Sequence, residues 1–222
     1  MGSPASAALV DFSGHVSLIH AERRAIQVLA SWKARAKRGA IEFESSEVRF
    51  ELDAKGAVSQ AGMIQRNDAH KLIEECMIAA NVEAAKFVTS KQVPAPFRVH
   101  PRPPEAKYAD LLEYLSEFGL SLPPWGRVQP RDFTQLLRKV RVRPDAALLE
   151  TVLLRSQSLA VYQTENLGHF GLALEAYGHF TSPIRRYPDL LVHRAIKAVL
   201  AREKYTPAGD WEQIGLHCSA TE

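Results

Sequence analysis

The sequence predicts an α+β fold that is mainly helical, with a small antiparallel β-sheet. Several long segments repeat apolar residues at helical spacing, and residues 41–64 alternate apolar and charged residues around a turn. Prolines and glycines separate the later helical segments, so we expect about six helices. Because strands do not alternate regularly with helices, a parallel doubly wound sheet is not expected.

Composition and charge set few limits on function. The 222 residues carry a formal net charge of +3, which alone does not indicate a nucleic-acid binder, since clustering of charge matters more than its total. Cys76 and Cys218 lie far apart without disulfide or zinc spacing, as in proteins of a reducing cytosol. No apolar run approaches the ~18 residues of a membrane span, and the N-terminus lacks the pattern of a secretory signal. We therefore expect a cytoplasmic location and no membrane partner.

Residues 17–37 are predicted to form the first helix, and residues 1–16 remain an unassigned lead-in. The end of this helix is basic (Lys33, Arg35, Lys37, Arg38) and is followed by Gly39. Cations in a last turn and a following glycine are ordinary features of a helix end. Contacts to a nucleic-acid backbone explain the same cations equally well.

Residues 41–64 are predicted to form a β-hairpin or a small antiparallel sheet. Five apolar residues interleave with charged ones, namely Ile41, Phe43, Val48, Phe50 and Leu52. Residues 53–56 have the composition of a turn, and residues 57–64 that of a weaker returning strand.

A long helix follows, capped by Asn67 or Asp68 and continuing to about residue 90. Its apolar residues form one stripe that we expect to be core: Leu72, Ile73, Cys76, Met77, Ala80, Ala84, Phe87 and Val88. Glu74 falls outside this stripe and is expected to point away from the core.

The remaining elements are separated by a proline-rich break over residues 94–104, which leaves room for one short strand at 97–100. Helices are predicted at 104–118, 130–140, 143–158 and 188–202, the last with Val192, Ala195, Ile196 and Val199 facing inward. A second basic cluster, Arg138, Lys139, Arg141 and Arg143, is most simply a solvated face.

The segment HFTSPIRRYPDLLVHR, residues 179–194, has an unusual order of residue types. Ser182 and Pro183 have the character of an N-cap and first-turn pair, whereas Pro188 cannot sit deep inside a helix. Either a short turn begins at Pro183 and kinks, or Tyr187 caps a helix that begins at Pro188.

In both cases Arg185 and Arg186 lie near a helix N-terminus, where free amide groups and the helix dipole attract anions. Guanidinium groups add bidentate hydrogen bonds suited to phosphate. Pairing of the two arginines with surface carboxylates is the alternative. Arg186, Tyr187 and Ser182 are therefore predicted, with Arg185, to contribute to a phosphate-binding site.

Residues 179–194 also resemble the signature of the ribonuclease II/R (RNB) family of 3′→5′ exoribonucleases. Residues 38–53, 66–85, 153–174 and 217–222 are similar to other parts of the same family's catalytic domain. The resemblance covers residues 20–222 and is closer to the ribonuclease R branch. It implies that residues 17–222 are the C-terminal portion of an incomplete RNB catalytic domain.

What the resemblance implies is a processive, Mg²⁺-dependent exoribonuclease that degrades single-stranded RNA to nucleoside 5′-monophosphates. Arg185 matches the family's arginine at the scissile phosphate and is the predicted catalytic residue. Glu74 matches a glutamate that holds the terminal ribose, and Phe43 an aromatic that stacks on the last bases. Without the resemblance, Phe43 is more simply a core aromatic and Glu74 a solvated carboxylate.

The resemblance also implies a cluster of aspartates that binds Mg²⁺, which prefers hard oxygen ligands. No two aspartates lie close together here: they are Asp11, Asp53, Asp68, Asp110, Asp132, Asp145, Asp189 and Asp210. We therefore expect Mg²⁺ only in a full-length enzyme, missing portions at both ends of this chain, and no activity of the chain alone. A catalytically dead RNA-binding module and a purely structural fragment are the alternatives.

Overall fold

The computed structural model describes residues 33–43, 47–64 and 67–222. Most of the predicted first helix, up to residue 32, lies outside these residues. Residues 33–38 are helical and end at Gly39, whose φ of +86° is the left-handed conformation expected after a helix. The chain divides into two compact units: residues 43–76 belong to the first, and residues 35–42 and 77–222 to the second.

The first unit contains the predicted hairpin. Strand β1 (Glu47–Leu52) pairs antiparallel with β2 (Val58–Ile64), with Val48 opposite Met63 and Phe50 opposite Ala61. In the turn, Asp53 Oδ1 accepts hydrogen bonds from the amides of residues 55 and 57, at 2.8 and 2.9 Å. Cross-strand partners share a face of the sheet, so Val48, Phe50 and Met63 form one apolar face, and each is more than half exposed.

The prediction that Ile41 and Phe43 belong to this hairpin is wrong. The strand begins at Glu47, and Phe43 lies outside any strand. Ile41 is buried in the second unit, where its amide donates to the carbonyl of Gly171 at 2.8 Å. The backbone of Ile41 is thus hydrogen-bonded to Gly171 and not to the hairpin. The alternating polarity of residues 41–43 was therefore a misleading sign of a strand.

Helix α1 (Asp68–Ser90) begins as predicted, with Asn67 Oδ1 accepting a hydrogen bond from the His70 amide at 3.1 Å. The predicted apolar stripe is correct towards the C-terminal end, where Ala84 and Val88 are buried. It is wrong in the first half, where Ile73, Cys76 and Met77 are exposed. The buried positions from this half to the middle of the helix are Glu75, Ile78 and Asn81. The inner face of this half therefore includes polar side chains, which a search for apolar periodicity assigns to the surface.

The second unit is built mainly from helices: α2 (Glu105–Glu117), α3 (Pro130–Val140), α4 (Ala146–Arg155), α5 (Tyr187–Leu200) and α6 (Trp211–Ala220). A 3₁₀ turn (Trp125–Arg127) precedes α3. The buried side chains of α2, α3 and α4 include five that have no exposed surface: Tyr108, Leu115, Phe133, Leu149 and Leu153. Val192 and Ala195 of α5 are buried as predicted.

A second two-stranded sheet completes this unit. The predicted short strand β3 (Phe97–Val99) pairs antiparallel with β4 (Val161–Gln163), which was not predicted. Helix α6, also not predicted, packs on β4 so closely that a Cβ at Gly215 would lie 2.7 Å from the Tyr162 carbonyl oxygen. The described residues thus confirm a mainly helical α+β fold with small antiparallel sheets. None of their helices combines the length and apolar character needed to cross a bilayer.

Candidate functional site

The loop that enters α5 forms a tight turn. The amides of Arg185 and Arg186 both donate to the Ser182 carbonyl oxygen, at 3.3 and 3.0 Å. Helix α5 then begins at Tyr187, with Arg186 as its N-cap and Pro188 in its first turn. Of the two arrangements predicted for this segment, the turn beginning at Pro183 is present. Tyr187 is the first helical residue rather than the cap. Because the turn is followed directly by the cap and the helix, both arginines lie at the start of α5.

A buried aspartate holds this turn against the helix. Asp189 has no exposed surface, and its Oδ1 accepts hydrogen bonds from the Ser182 amide at 2.7 Å and from Arg186 Nη2 at 2.8 Å. Arg186 is therefore paired with a carboxylate, the alternative that the sequence left open for it. Asp189 was not among the predicted site residues. Its i+3 spacing from Arg186 and its place in a first helical turn were the available signals.

Arg185 is positioned differently from Arg186. It is exposed and makes no salt bridge with any residue that the structure describes. It lines a pocket of about 200 Å³ whose walls are formed by Tyr162, Arg185, Arg186, Tyr187, Pro188, Cys218, Thr221 and Glu222. The structure thus brings Arg185, Arg186 and Tyr187 to one pocket, while Ser182 shapes the turn that carries them.

A hydrogen-bonded tyrosine–histidine pair lies at this pocket: Tyr162 is buried and lines it, and His179 is half-buried. The Tyr162 hydroxyl and His179 Nδ1 are 2.7 Å apart. Burial, and then the charge of Arg186, lowers the pKa of His179 to about 4, and burial raises the pKa of Tyr162 to about 12. At neutral pH the imidazole is therefore neutral, and its Nδ1 shares this hydrogen bond with the hydroxyl. The positive charge at the pocket consequently comes from guanidinium groups.

Tyr162 also contacts an arginine through its ring. The Arg98 guanidinium lies 4.6 Å from the centre of the Tyr162 ring and forms an ion pair with Glu222. Glu222 lines the pocket that contains Arg185. One carboxylate of the pocket is thus already neutralised by Arg98, so it offsets less of the positive charge of Arg185.

Asn81 of α1 fixes the segment that precedes the turn. Its Oδ1 accepts hydrogen bonds from the amides of Phe180 and Thr181 at 2.9 and 3.2 Å, and its Nδ2 donates to the Tyr177 hydroxyl at 3.0 Å. His193 stacks on the Phe180 ring with centroids 4.0 Å apart, and its Nε2 donates to the Phe180 carbonyl at 2.9 Å. Contacts from two helices therefore hold the backbone before Arg185, which favours a fixed position for its side chain.

The other two predicted site residues belong to the first unit. Glu74 is half-buried on α1, and Phe43 is half-buried in an irregular segment. The half-burial of both side chains is compatible with either of the roles weighed for them. Their assignment to ribose and base binding stays a prediction.

No group of three or more histidine, cysteine, aspartate or glutamate side chains lies together, in an arrangement that could hold an ion, in the part of the chain that the structure describes. Mg²⁺ takes oxygen ligands, chiefly carboxylates and water. The chemistry that the described residues do support is binding of an anion by Arg185.

Comparison with known proteins places the chain in a family. Residues 14–202 match the sequence model of the RNB domain. The chain therefore belongs to the RNB family, and the resemblance inferred from the signature segment is confirmed.

Individual proteins that are similar to this chain include ribonuclease R of two bacteria. The chain is 50% identical over 202 residues to ribonuclease R of Escherichia coli strain K12, covering 86% of this chain and 25% of that protein. The RNase R of Mycoplasma genitalium, solved in complex with ribose-methylated single-stranded RNA, matches with a TM-score of 0.82 and 27% identity over 92% of this chain and 33% of the other. Yeast Ssd1, described as a pseudonuclease, matches with a TM-score of 0.58 and 26% identity over 71% of this chain and 20% of the other. The chain thus spans about a quarter of the length of the Escherichia coli relative.

Proposed function

We propose that this chain forms part of a processive, Mg²⁺-dependent 3′→5′ exoribonuclease. The enzyme degrades single-stranded RNA to nucleoside 5′-monophosphates, and the chain contributes the arginine that contacts the scissile phosphate. Family membership supports the class of enzyme, and the similar Mycoplasma genitalium protein was solved with single-stranded RNA. By itself the chain binds RNA without hydrolysing it.

The observation that carries this proposal is the difference between two neighbouring arginines. Arg186 is held by buried Asp189, whereas Arg185 is exposed at the pocket without a salt bridge to any described residue. A guanidinium that is not neutralised by a carboxylate can donate two parallel hydrogen bonds to a phosphate and stabilise charge that develops there. Asp189 thus aligns the turn, and Arg185 contacts the substrate.

The remaining roles follow from the family resemblance. Glu74 holds the terminal ribose, Phe43 stacks on the last bases, and Tyr187 lines the phosphate pocket. Mg²⁺ would supply an activated water in the full-length enzyme, and carboxylates from portions of the enzyme outside this chain would hold it. Cytoplasmic RNA is the substrate, in keeping with the two unpaired cysteines.

A second candidate function is a catalytically dead RNA-binding module. It is favoured by the likeness to the pseudonuclease Ssd1 and by the lack of a metal-binding group among the residues that the structure describes. Both candidates require binding of RNA through Arg185. They differ in whether hydrolysis occurs once the rest of the catalytic domain is present.

A chimera tests the enzymatic part. This chain replaces the matching segment of the Escherichia coli relative, and hydrolysis of a 5′-labelled single-stranded RNA is followed with and without Mg²⁺. We expect stepwise shortening from the 3′ end in Mg²⁺, lost in Arg185→Ala and kept in Arg194→Ala, an exposed arginine further along α5. A folded chimera that binds RNA without hydrolysing it would favour the dead module.

The isolated chain tests the site. We expect no turnover, and an RNA affinity that Arg185→Ala lowers by about tenfold or more, since a hydrogen bond to a charged group contributes about 1.5–3 kcal/mol. Turnover that needs Mg²⁺ and Arg185 would mean that carboxylates of this chain build a metal site. Unchanged affinity of Arg185→Ala would refute the assignment of this pocket to phosphate.

A further inference from the structure

A larger cleft, of about 530 Å³, lies in the second unit and shares no lining residue with the Arg185 pocket. Four separate segments form it: the helix end at Arg38, residues 100–102, the start of α3 at 129–131, and the loop 167–175. The cleft is thus assembled by tertiary contacts between distant parts of the chain.

Gly39 is the reason that two of these segments meet. Its φ is +86°, and a Cβ there would lie 2.5 Å from the Cβ of Arg131. Only glycine permits this approach, which brings the helix ending at Arg38 against the start of α3. Thr134 Oγ1 fixes the junction through the carbonyl oxygens of residues 39 and 40, at 3.0 and 3.2 Å. Arg38 and Arg131 therefore border the same cleft.

The cleft has an excess of positive charge. Three arginines line it, Arg38, Arg102 and Arg131, against a single carboxylate, Glu175. Arg38 and Arg131 are exposed, and neither forms a salt bridge with a described residue. Arg102 is held in place, with its guanidinium 5.5 Å from the centre of the Trp125 ring. Two of the three guanidiniums are consequently available to an anion.

The two histidines that line the cleft add no charge. The Nδ1 atoms of His100 and His169 accept hydrogen bonds from the amides of Gly171 and Leu172, at 2.8 and 3.1 Å. His100 Nε2 donates to the Ser158 carbonyl at 2.8 Å, which fixes a neutral tautomer. Burial lowers the pKa of both rings, that of His169 to about 3. The positive charge of the cleft therefore comes from its arginines at physiological pH.

We infer that this cleft is a second RNA-binding site, in which Arg38 and Arg131 bind phosphodiester groups of single-stranded RNA away from the Arg185 pocket. The inference rests on the proposed function, since it takes RNA to be the ligand. This cleft is larger than a single phosphate needs, and its cations lie on three separate segments. It therefore suits an RNA backbone that carries several phosphates. Guanidiniums bind phosphate bidentately, and contacts of this kind hold RNA without regard to sequence.

Binding measured as a function of salt tests this inference. The intact chain is titrated into a short fluorescein-labelled oligoadenylate in EDTA, and anisotropy is recorded between about 50 and 200 mM KCl. Each phosphate contact on a single strand contributes about −0.7 to the slope of log affinity against log salt. The double variant Arg38→Ala/Arg131→Ala should reduce the magnitude of the slope by about 1.4 and weaken binding about tenfold at the lowest salt. Lys204→Ala, an exposed cation outside both pockets, should leave the slope unchanged.

A second measurement separates failure of this inference from failure of the proposed function. Sodium tripolyphosphate is added while the arginine Nε–H resonances are followed by NMR, and shifts at Arg38 and Arg131 are expected. If the wild type binds RNA and the double variant keeps its slope, the second site is overturned and the proposed function stands. If the wild type does not bind RNA, both are overturned as stated, and tripolyphosphate shifts would then indicate a site for another polyanion.

Discussion

Replacing Asp189 with alanine should loosen the turn that presents Arg185. This carboxylate has no exposed surface and accepts hydrogen bonds from the Ser182 amide and the Arg186 guanidinium, at 2.7 and 2.8 Å. The variant leaves an amide without its acceptor and a partly buried guanidinium without its counter-charge. Breaking a buried ion pair by removing one partner costs about 3–5 kcal/mol. The Arg186 side chain is 23% exposed and recovers some hydration, so we expect about 3 kcal/mol.

Local hydrogen exchange is the most direct assay of this change. A loss of about 3 kcal/mol corresponds to roughly a hundredfold faster exchange of the Ser182 amide, since each 1.4 kcal/mol is tenfold. Asp189→Asn keeps an oxygen acceptor for that amide but loses the charge opposite Arg186, so its cost should be about half. Urea unfolding of both variants gives the global free energy for comparison.

Asp210→Ala is the matched control, because Asp210 is an exposed aspartate that caps α6 through the amides of residues 212 and 213. Its loss should cost about 1 kcal/mol, as for other N-caps. If Asp189→Ala costs no more than Asp210→Ala and leaves exchange at Ser182 unchanged, the buried contact does not hold the turn, and the reasoning is refuted.

Two further predictions concern packing and pH. Gly39→Ala should destabilise the fold by about 2 kcal/mol or more in thermal or urea unfolding, because its Cβ would lie 2.5 Å from that of Arg131. Gly119→Ala, also at positive φ but with no atom within 4 Å of the added Cβ, should cost only the backbone strain of about 1 kcal/mol, and equal losses would contradict the steric argument. The pKa of His179 is lowered from 6.5 to about 4, so the unfolded chain takes up its proton first and the stabilisation present above pH 6.5 is lost as the pH falls towards 4. His179→Asn should therefore lose less stability over this range in urea unfolding, and parallel curves would show that this imidazole does not contribute.

Local sequence pattern predicted the positions of helices and strands better than it predicted which of their faces are buried. The hairpin, α1, α3 and the strand at residues 97–99 could be predicted because turn residues, caps and periodicity act over a few positions. The inner face of α1 could not, since Glu75 and Asn81 are buried among partners that local sequence does not indicate. Strand β4 is only three residues long and depends on pairing with β3, so it has no signal of its own.

Some features of the candidate site could likewise be predicted from the sequence, and others could not. The signature segment placed Arg185 and Arg186 at the start of a helix, as the structure does, because caps and prolines define that boundary locally. Residue types alone could not distinguish the arginine paired with Asp189 from the exposed one, since that depends on which side chain the turn directs inward. The family resemblance singled out Arg185. The cleft bordered by Arg38 and Arg131 depends on contacts across more than ninety residues, such as that between Thr134 and Gly39. The first basic cluster includes Arg38, for which contacts to a nucleic-acid backbone were one of two explanations, whereas Arg131 belongs to neither basic cluster.

The hydrogen bonds of Asn81 have a consequence for how the chain folds. Its partners Tyr177, Phe180 and Thr181 are 96, 99 and 100 residues away in sequence. During synthesis at about 5–20 residues per second, Asn81 precedes them by about 5–20 s. Helix α1 therefore exists as a nascent segment before the loop that it must hold, and closing so long a loop opposes early assembly entropically. The loop carrying Arg185 should reach its final geometry late, after the helices between these residues have packed.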